Sequence, residues 1–374
     1  MSQASRRDLL RFGLLSSLAS RVSFGREAAP GLIVRNERPL DLETPVSVFT
    51  EEFTPNDLFF VRSHFGAPSI DPATWSLRLE GLVDRPIDLT MAALHKLAPA
   101  SAPVSLQCAG NGRSLFRPKV AGAQWARGAV GQARWRGVRL ADVLDRAGLK
   151  PEARFLTFLP GDHPLGEHVP PFHRSIPLEK ARKDVLLAWE MNGAPLSVLH
   201  GAPLRAVVPG WAGDHWVKWL RGIRVSAEED PGFYMQTGYK IPTEPIAPGS
   251  APKAVKSLTA LPVKSLIARP LEGAVLKPGR VEVRGVAFGG AGAIARVELS
   301  IDDGATWMPA KVSKSRGEGA WQPFTGEWQA RPGAYTLRAR ATDAAGESQP
   351  REPLWNPGGY LYNAWDAVSC EVRS

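Results

Sequence analysis

The 374-residue chain has only two cysteines, and it lacks the motifs of several common metal and cofactor sites. It contains no C-x-x-C pair, no H-E-x-x-H, no G-x-x-x-x-G-K and no C-x-x-C-H. Their absence excludes the usual patterns of zinc ribbons, zincin proteases, P-loops and covalently attached haem. Cys108 and Cys370 lie in unrelated local sequences, so no disulfide framework is indicated and the redox compartment stays open.

Long apolar runs and blocks of like charge are also missing. After the first 20 residues no apolar stretch reaches the roughly 18–20 residues that span a bilayer, so we expect no membrane span once a leader is removed. The formal net charge is +9, but the basic residues are spread along the chain. We therefore expect no nucleic-acid partner, and an anionic small molecule or cofactor explains the charge at least as well.

The N-terminus reads SRRDLLR over residues 5–11 and continues into an apolar run from Phe12 to Ala19. This is the layout of a twin-arginine signal, which exports proteins already folded around a cofactor. The alternative is a basic tail before a short helix, since Arg21 interrupts the apolar run. We expect residues 1–29 to be the export signal and the mature protein to be periplasmic.

The remaining sequence predicts a strand-rich protein of two domains, because 36 Gly and 33 Pro favour turns over long helices. Prolines recur through residues 241–262 and predict an irregular linker. We place a large domain at 30–250 and a second domain at 251–374. Regularly spaced strand-length runs in the second domain predict an immunoglobulin-like β-sandwich.

Local patterns within the large domain predict several elements. Strands are predicted over Leu58–Arg62, where aromatic and β-branched residues follow one another, and over Trp75–Gly81, which alternates with period two. A helix is predicted from Thr90, a good N-cap, to Leu97, and a second over Leu140–Ala147 before Gly148. Arg205–Gly210 and Leu220–Val225 are predicted to be strands that flank a loop rich in Trp, Gly and His.

The segment around Cys108 could carry chemistry. Cys108 follows an apolar strand and precedes a Gly/Asn-rich turn that ends at Arg113, so positive surroundings can favour a thiolate that acts as metal ligand or nucleophile. The alternative is a buried cysteine that behaves as a small hydrophobe. Six histidines are candidate bases, but no recognised Cys–His signature links any of them to this cysteine. Local sequence leaves its role open.

A series of short motifs accompanies this cysteine in order along the chain. They are Arg62-Ser63-His64, Gln107-Cys108-Ala109-Gly110-Asn111 with Arg113, Trp125 with Gly128-Ala129, Asp162, Ser175-Ile176-Pro177-Leu178, Trp189-Glu190-Met191-Asn192-Gly193, His200, Arg205, Val217-Lys218-Trp219-Leu220 and Tyr239-Lys240. Together they resemble the sulfite oxidase family over roughly residues 57–370. The resemblance implies an α+β, strand-rich fold in which a molybdopterin-binding catalytic domain precedes a dimerisation domain.

By this resemblance the cofactor is molybdenum bound to molybdopterin, with Cys108 as the single protein ligand and no haem or flavin in this chain. Soft thiolate sulfur suits such a metal. The resemblance gives as cofactor-binding residues Phe60, Val61, Arg62, Ser63, His64, Cys108, Asp162, His200, Arg205, Trp216, Val217 and Lys218. Arg205 and Lys218 can neutralise the cofactor's phosphate, and Asp162 can accept hydrogen bonds from the pterin.

The resemblance also implies the reaction, in which sulfite is oxidised to sulfate by oxygen-atom transfer. The implied catalytic residues are Arg62, Cys108, Arg113, Trp125 and Tyr239. Guanidinium groups and a phenol are suitable partners for a small oxyanion. Electrons are expected to pass to a separate acceptor, a c-type cytochrome, and the second domain is expected to form a homodimer.

One position departs from the family. Sulfite-oxidising members supply a further arginine from a Trp-Asn-x-Arg-Gly segment, but this chain has Gly358 at that position. The pocket then has one positive charge fewer, unless His215 or Lys240 replaces it. Two alternatives stay open: a related molybdoenzyme that acts on carrier-bound sulfane sulfur or a sulfoxide, and a non-catalytic exported binding protein in which Cys108 is only structural.

Overall fold

The computed structural model describes residues 31–374, so the predicted export signal lies outside the described residues. In the first part of the chain the strands are β1 (Ile33–Glu37), β2 (Leu40–Glu43), β3 (Ser76–Gly81), β4 (Ile87–Thr90), β5 (Pro99–Gln107), β6 (Val130–Arg139), β7 (Phe155–Pro160), β8 (Arg174–Pro177), β9 (Leu186–Met191), β10 (Ala194–Pro195), β11 (Arg205–Val207), β12 (Leu220–Ser226), β13 (Lys240–Pro242) and β14 (Val255–Ser257). The α-helices are α1 (Met91–His95), α2 (Leu140–Ala147), α3 (Leu178–Lys183) and α4 (Phe233–Gln236). Among residues 31–374, no helix has the length and apolar character to cross a membrane.

Two five-stranded sheets form the frame of the first domain. One has the order β10-β9-β6-β5 with β11 also paired to β9, and the other has the order β4-β3-β12-β7-β8. All pairings are antiparallel except that of β12 with β3. The sheets share one apolar core that includes Trp75, Trp135 and Phe158, all fully buried. This core holds the strand ends, and therefore the loops that follow them, in fixed positions.

Several local predictions are confirmed. The Ala93 amide donates to Thr90 Oγ1 at 3.2 Å, which caps α1 as expected of a threonine at this position. Helix α2 has the predicted bounds and buries its apolar stripe. It ends at Gly148, whose φ of +70° is unfavourable for other residues. The predicted strand over Trp75–Gly81 is β3.

Three predictions need correction. Leu58–Arg62 is not a regular strand: a 3-10 turn ends at Leu58, and Val61 makes only an isolated bridge to Leu42. Its apolar side chains are buried because they pack on the core and line a cavity. The predicted strand from Arg205 stops at Val207. The proline-rich segment 241–262 is not wholly irregular, since β13 and β14 pair as an antiparallel ladder across it.

The second domain is built from β15 (Lys264–Arg269), β16 (Ala274–Leu276), β17 (Gly279–Phe288), β18 (Ile294–Ser300), β19 (Met308–Val312), β20 (Gln322–Ala330), β21 (Gly333–Asp343) and β22 (Asp366–Val372). They follow one hydrogen-bonded path, β15-β17-β20-β19-β18-β21-β22-β16, which closes over a common core. Strand β19 pairs with both β18 and β20 and so joins the two faces. The predicted β-sandwich is confirmed.

The two domains are joined by buried polar contacts beside Cys108. The Leu361 amide donates to the Ala109 carbonyl at 2.8 Å, and the Trp321 amide donates to Ser105 Oγ at 2.9 Å. Arg127 forms an ion pair of 2.8 Å with Asp366, whose carboxylate also accepts from the Ile267 amide. A loop of the second domain therefore lies directly against the segment that contains the cysteine.

Candidate cofactor-binding and active site

A cavity lies at the ends of the central strands of the first domain. All twelve residues that the sequence predicts to bind the cofactor line it, although they come from segments far apart in the chain. The other lining residues are Phe59, Leu106, Pro160, Phe172, Leu199, Gly213, Asp214 and Trp219. The fold thus brings the predicted residues together, while their individual roles stay predictions.

Cys108 is placed at the cavity by the end of β5. Its amide donates to the Ala129 carbonyl at 2.9 Å, and its own carbonyl accepts from the Asn111 amide at 3.0 Å. The Asn111 side chain donates to Gln107 Oε1 and accepts from the Ala129 amide, which fixes the turn. The thiol is held by backbone geometry and points into a cavity that packing alone does not explain.

The electrostatic surroundings of Cys108 act in opposite directions. Burial raises the pKa of the thiol above its ordinary value, whereas Arg62, the Gly110 amide and Arg113 each lower it. A metal cation would add a further strong force toward the thiolate, because a coordinating thiol is deprotonated outright. The site therefore suits a thiolate that is stabilised by a bound metal better than a free nucleophile.

Two cations, Arg205 and Lys218, also line the cavity; Arg205 is buried and Lys218 is partly buried. Burial lowers the pKa of Arg205 to about 9, and it lowers the pKa of Lys218 well below its ordinary value. Arg205 donates to the carbonyls of His200 and Trp216, and Lys218 Nζ donates to Ser63 Oγ and the Leu199 carbonyl. Neither has a carboxylate in an ion pair within residues 31–374. Their charge is suited to an anion such as a phosphate.

Asp162 lines the same cavity and offers a hydrogen-bond acceptor to the implied cofactor. Its Oδ1 atom is buried and has no hydrogen-bond partner within the part of the chain that the structure describes. A buried acceptor of this kind needs a donor, such as the amino group of a pterin. A soft sulfur ligand, a buried and a partly buried cation, and a carboxylate oxygen without a partner in residues 31–374 fit molybdopterin, its phosphate and its metal.

The predicted substrate residues lie close to Cys108 but differ in position. Arg62 lines the cavity and pairs with Asp41 at 3.2 Å. Arg113 is buried behind it, where Nε donates to the Gly358 carbonyl at 3.1 Å and an Nη donates to the Ala123 carbonyl at 3.2 Å. Trp125 is fully buried and meets Phe60 edge to face. Arg62 therefore lines the cavity directly, whereas Arg113 and Trp125 lie behind the lining residues.

Tyr239 lies within a cluster of aromatic rings at this end of the site. Its hydroxyl makes a hydrogen bond of 2.7 Å with His64 Nε2. Burial raises the pKa of the phenol and lowers the pKa of the imidazole, so that both groups are neutral at pH 7. Its backbone has a φ of +53°, a sparsely populated region for a side chain of this size. The surrounding contacts must therefore hold it in place.

Neither of the proposed replacements for the missing arginine lines the cavity. His215 is fully buried and accepts from Arg174 Nη2 at its Nε2 atom, 3.0 Å away. Arginine can only donate, so His215 Nε2 carries no proton and the imidazole is neutral. Burial lowers the pKa of this imidazole in agreement with that state. Lys240 donates to Ser257 Oγ at 2.9 Å. The charge expected at residue 358 is not supplied from these two positions.

Sequence reasoning missed four residues that shape the site. Asp41 pairs with Arg62, Asp214 lines the cavity and pairs with Arg174 at 2.7 Å, and Tyr360 stacks on Tyr239. Arg174 directly precedes a motif residue and Asp214 directly precedes His215, so a weak signal was present for these two. Asp41 and Tyr360 lie in segments without a distinctive pattern.

The buried histidines predict how stability depends on pH. The folded-state pKa values of His64, His200 and His215 are all lowered, for His200 to about 4, mainly by burial. The unfolded chain takes up protons below about pH 6.5 while the folded chain does not, so stability is fully present above that pH and is lost as the pH falls. Between about pH 7.5 and about pH 5, His200 alone should cost about 2 kcal/mol.

Guanidinium denaturation at the two pH values measures this loss. His200 Nε2 contacts the Asn56 carbonyl at 3.0 Å, so His200→Gln keeps a donor and removes the titration. The difference in unfolding free energy between the two pH values should shrink by about 2 kcal/mol in this variant. An unchanged difference would show that His200 is protonated in the folded protein.

Comparison with known proteins gives two family matches that together cover most of the described chain. Residues 64–234 match the model described as the oxidoreductase molybdopterin binding domain. Residues 255–373 match the Mo-co oxidoreductase dimerisation domain. The first match contains Cys108 and all residues that line the cavity except those from Phe59 to Ser63, and the second contains the β-sandwich.

Relatives and solved structures agree with these matches. The chain is 37% identical over 367 residues to the human mitochondrial sulfite oxidase and spans 66% of its length, which is just under two thirds. It is 34% identical over 368 residues to the Arabidopsis thaliana sulfite oxidase and covers 93% of that protein. Its structure is similar to the sulfane dehydrogenase SoxCD from Paracoccus pantotrophus, with a TM-score of 0.79, 26% identity, and coverage of 94% of this chain and 86% of that one.

Proposed function

This chain belongs to the sulfite oxidase family of molybdopterin-binding oxidoreductases, and on that premise we propose that it oxidises sulfite to sulfate. The observation that carries the proposal is the single cavity in which a half-buried thiol, a carboxylate oxygen without a partner in residues 31–374, and a buried and a partly buried cation meet. In this reaction sulfur gains one oxygen atom, derived from water, and loses two electrons. When bound, the molybdenum cofactor supplies that oxygen atom and accepts those electrons.

Binding of the substrate anion is the task of Arg62 and Arg113. Arg62 faces the cavity with its charge only partly balanced by Asp41, whose pKa burial raises. Arg113 contributes charge from behind and is too firmly held by two carbonyls to move. Fixed cations in a site that excludes water stabilise an oxyanion without reorganisation during the reaction.

Tyr239 and His64 give this end of the site a neutral hydrogen-bonding pair. Both groups are uncharged at pH 7. When the imidazole donates from Nε2 to the phenol oxygen, the phenol hydrogen is available to a substrate oxygen. His64 stacks on Phe172 with ring centroids 4.0 Å apart, which fixes the imidazole plane. The pair therefore orients the anion and keeps the local charge constant.

The proposal extends to partners and location. The match to a dimerisation domain supports a homodimer formed through the second domain. The basic and apolar pattern of residues 5–19 supports export to the periplasm in a folded state. There a c-type cytochrome would serve as the separate one-electron acceptor.

Oxidation of sulfane sulfur is the second candidate. It is favoured by the structural similarity to SoxCD and by Gly358, which stands where sulfite-oxidising members of the family have an arginine. A sulfane sulfur attached to a small thiol carries less charge than sulfite and needs fewer cations. The two candidates therefore differ in the charge of the group that Arg62 and Arg113 must hold.

A steady-state assay with ferric cytochrome c separates them. Molybdenum-loaded protein, made with its leader intact, is given sulfite in one arm and glutathione persulfide in the other. Our proposal predicts cytochrome reduction that saturates with sulfite and requires loaded protein. Loaded protein that turns over the persulfide and not sulfite would assign the second candidate, and no turnover with either would contradict both.

A further inference from the structure

Tyr360 lies in a loop of the second domain that reaches the active site. The Asn356 side chain closes this loop, because it donates to the Tyr360 carbonyl and accepts from the Tyr360 amide, both at 2.9 Å. The next residue, Leu361, donates its amide to the carbonyl of Ala109, the neighbour of Cys108. The backbone on both sides of Tyr360 is therefore fixed relative to the cysteine.

The Tyr360 ring contacts two of the residues predicted to bind substrate. It stacks on Tyr239 with centroids 5.3 Å apart and an angle of 23° between the planes. The Arg113 guanidinium also lies over the ring, 5.2 Å from the centroid. Such contacts contribute both area and specific geometry. They hold Tyr239 at its unfavourable positive φ and fix the direction of Arg113.

The ring also takes up the space in which residue 358 would carry a side chain. A Cβ atom on Gly358 would lie 2.2 Å from Tyr360 Cε2 and 2.5 Å from Cδ2. The ring cannot easily move aside, because Tyr239 and Arg113 pack against it. An uncharged ring thus fills the space beside residue 358, and glycine at 358 is a condition for this packing.

We propose that Tyr360 is a positioning residue through which the second domain sets the geometry of Tyr239 and Arg113. It contributes no charge and acts through the two side chains that contact it. This inference rests on the proposed function, in that those two side chains are taken to bind a sulfur oxyanion. It goes beyond that function by making the pocket dependent on the docked second domain.

The test compares Tyr360→Ala with Tyr360→Phe in the loaded full-length protein. Removing the ring should raise KM for sulfite and weaken the binding of sulfate, measured by calorimetry as a non-reacting probe, by roughly 10- to 100-fold with a smaller change in kcat. Phenylalanine keeps the ring and should recover most of this loss. Tyr362→Ala is the matched control, because Tyr362 lies in the same loop as Tyr360 but its ring packs on Phe116. This variant should keep KM and sulfate affinity within about twofold of the wild-type values.

Gly358→Ala tests the same packing without deleting the ring. Its added Cβ should displace Tyr360 and raise KM, and it should have little further effect in the Tyr360→Ala background. Additive effects of the two substitutions would overturn the proposal, as would a Tyr360→Ala protein that loses thermal stability but keeps KM and sulfate affinity.

A crystal structure of Tyr360→Ala gives a readout that does not depend on turnover. Displaced Tyr239 and Arg113 side chains would support the proposal, and unchanged positions would overturn it. If wild-type protein failed to oxidise sulfite, only the proposed function would fail, because the positions of these side chains would still decide the role of Tyr360.

Discussion

Replacing Cys108 by serine is expected to abolish turnover while leaving most of the organic cofactor bound. Among residues 31–374 the thiol is the only sulfur that lines the cavity, so the substitution removes the single soft protein ligand. We expect kcat to fall roughly a thousandfold or more, equivalent to about 4 kcal/mol of transition-state stabilisation. The pterin should remain within about twofold of its wild-type content, because Asp162, Arg205 and Lys218 also line the cavity and hold it.

Cys370→Ser is the control for this experiment. Cys370 is buried in β22, belongs to the core of the second domain and is not among the residues that line the cavity. It should lose about 1 kcal/mol of stability through the buried hydroxyl and should keep its kcat. Elemental analysis for molybdenum, fluorescence assay of released pterin and the sulfite assay are measured on both variants. A Cys108→Ser protein with wild-type kcat would remove the cysteine from the metal site.

The parts of the fold that could be predicted are those in which local pattern and tertiary burial agree. Helix α2 has apolar residues at helical spacing and a glycine directly after its last turn, and both signals point to the same bounds. The segment Leu58–Arg62 misled because its apolar residues are buried against a cavity wall and not in a ladder of strands. Strands β13 and β14 have three residues each and are partly exposed, and β13 ends at Pro242. They therefore show no apolar alternation from which the sequence could predict a strand.

The sequence motifs predicted which residues line the site, but they did not predict the contacts that hold those residues in place. The cofactor-lining residues lie mostly in loops and short turns at strand ends: Cys108 follows β5, Asp162 follows β7 and Lys218 precedes β12. Residues distant in sequence meet there because the sheets hold the strand ends together. The residues that support them carry no such pattern. Arg174 was signalled only by its position next to a motif residue, and Tyr360 is one aromatic among many until the fold places it against Tyr239. The importance of each residue depends on a contact that is visible only in the tertiary structure, Asp214 for Arg174 and Tyr239 for Tyr360.

Arg174 shows how much such a contact can matter. Its guanidinium is almost completely buried and lies 2.7 Å from the equally buried carboxylate of Asp214, which lines the cavity. It also donates to the Tyr234 carbonyl and lies over the Tyr239 ring at 5.2 Å. Burial raises the pKa of Asp214, but the neighbouring His215 and Arg174 together lower it by more, so the pKa lies below its ordinary value and the carboxylate is charged in the folded protein. The pair therefore holds two opposite charges under the active site.

Arg174→Leu is expected to destabilise the protein by about 3–5 kcal/mol, because it leaves the Asp214 charge buried without its cation. Arg174→Leu with Asp214→Asn should recover much of this loss, since no uncompensated charge remains. The sign of the pH dependence gives a second check. Without Arg174, burial raises the folded-state pKa of Asp214 above its unfolded value, so protonation relieves the buried charge and the deficit should shrink as the pH falls from about 7.5 to about 5. Guanidinium denaturation of wild type and both variants measures this, and a deficit that is independent of pH and equal in the double variant would mean that packing, not charge, is what Arg174 contributes.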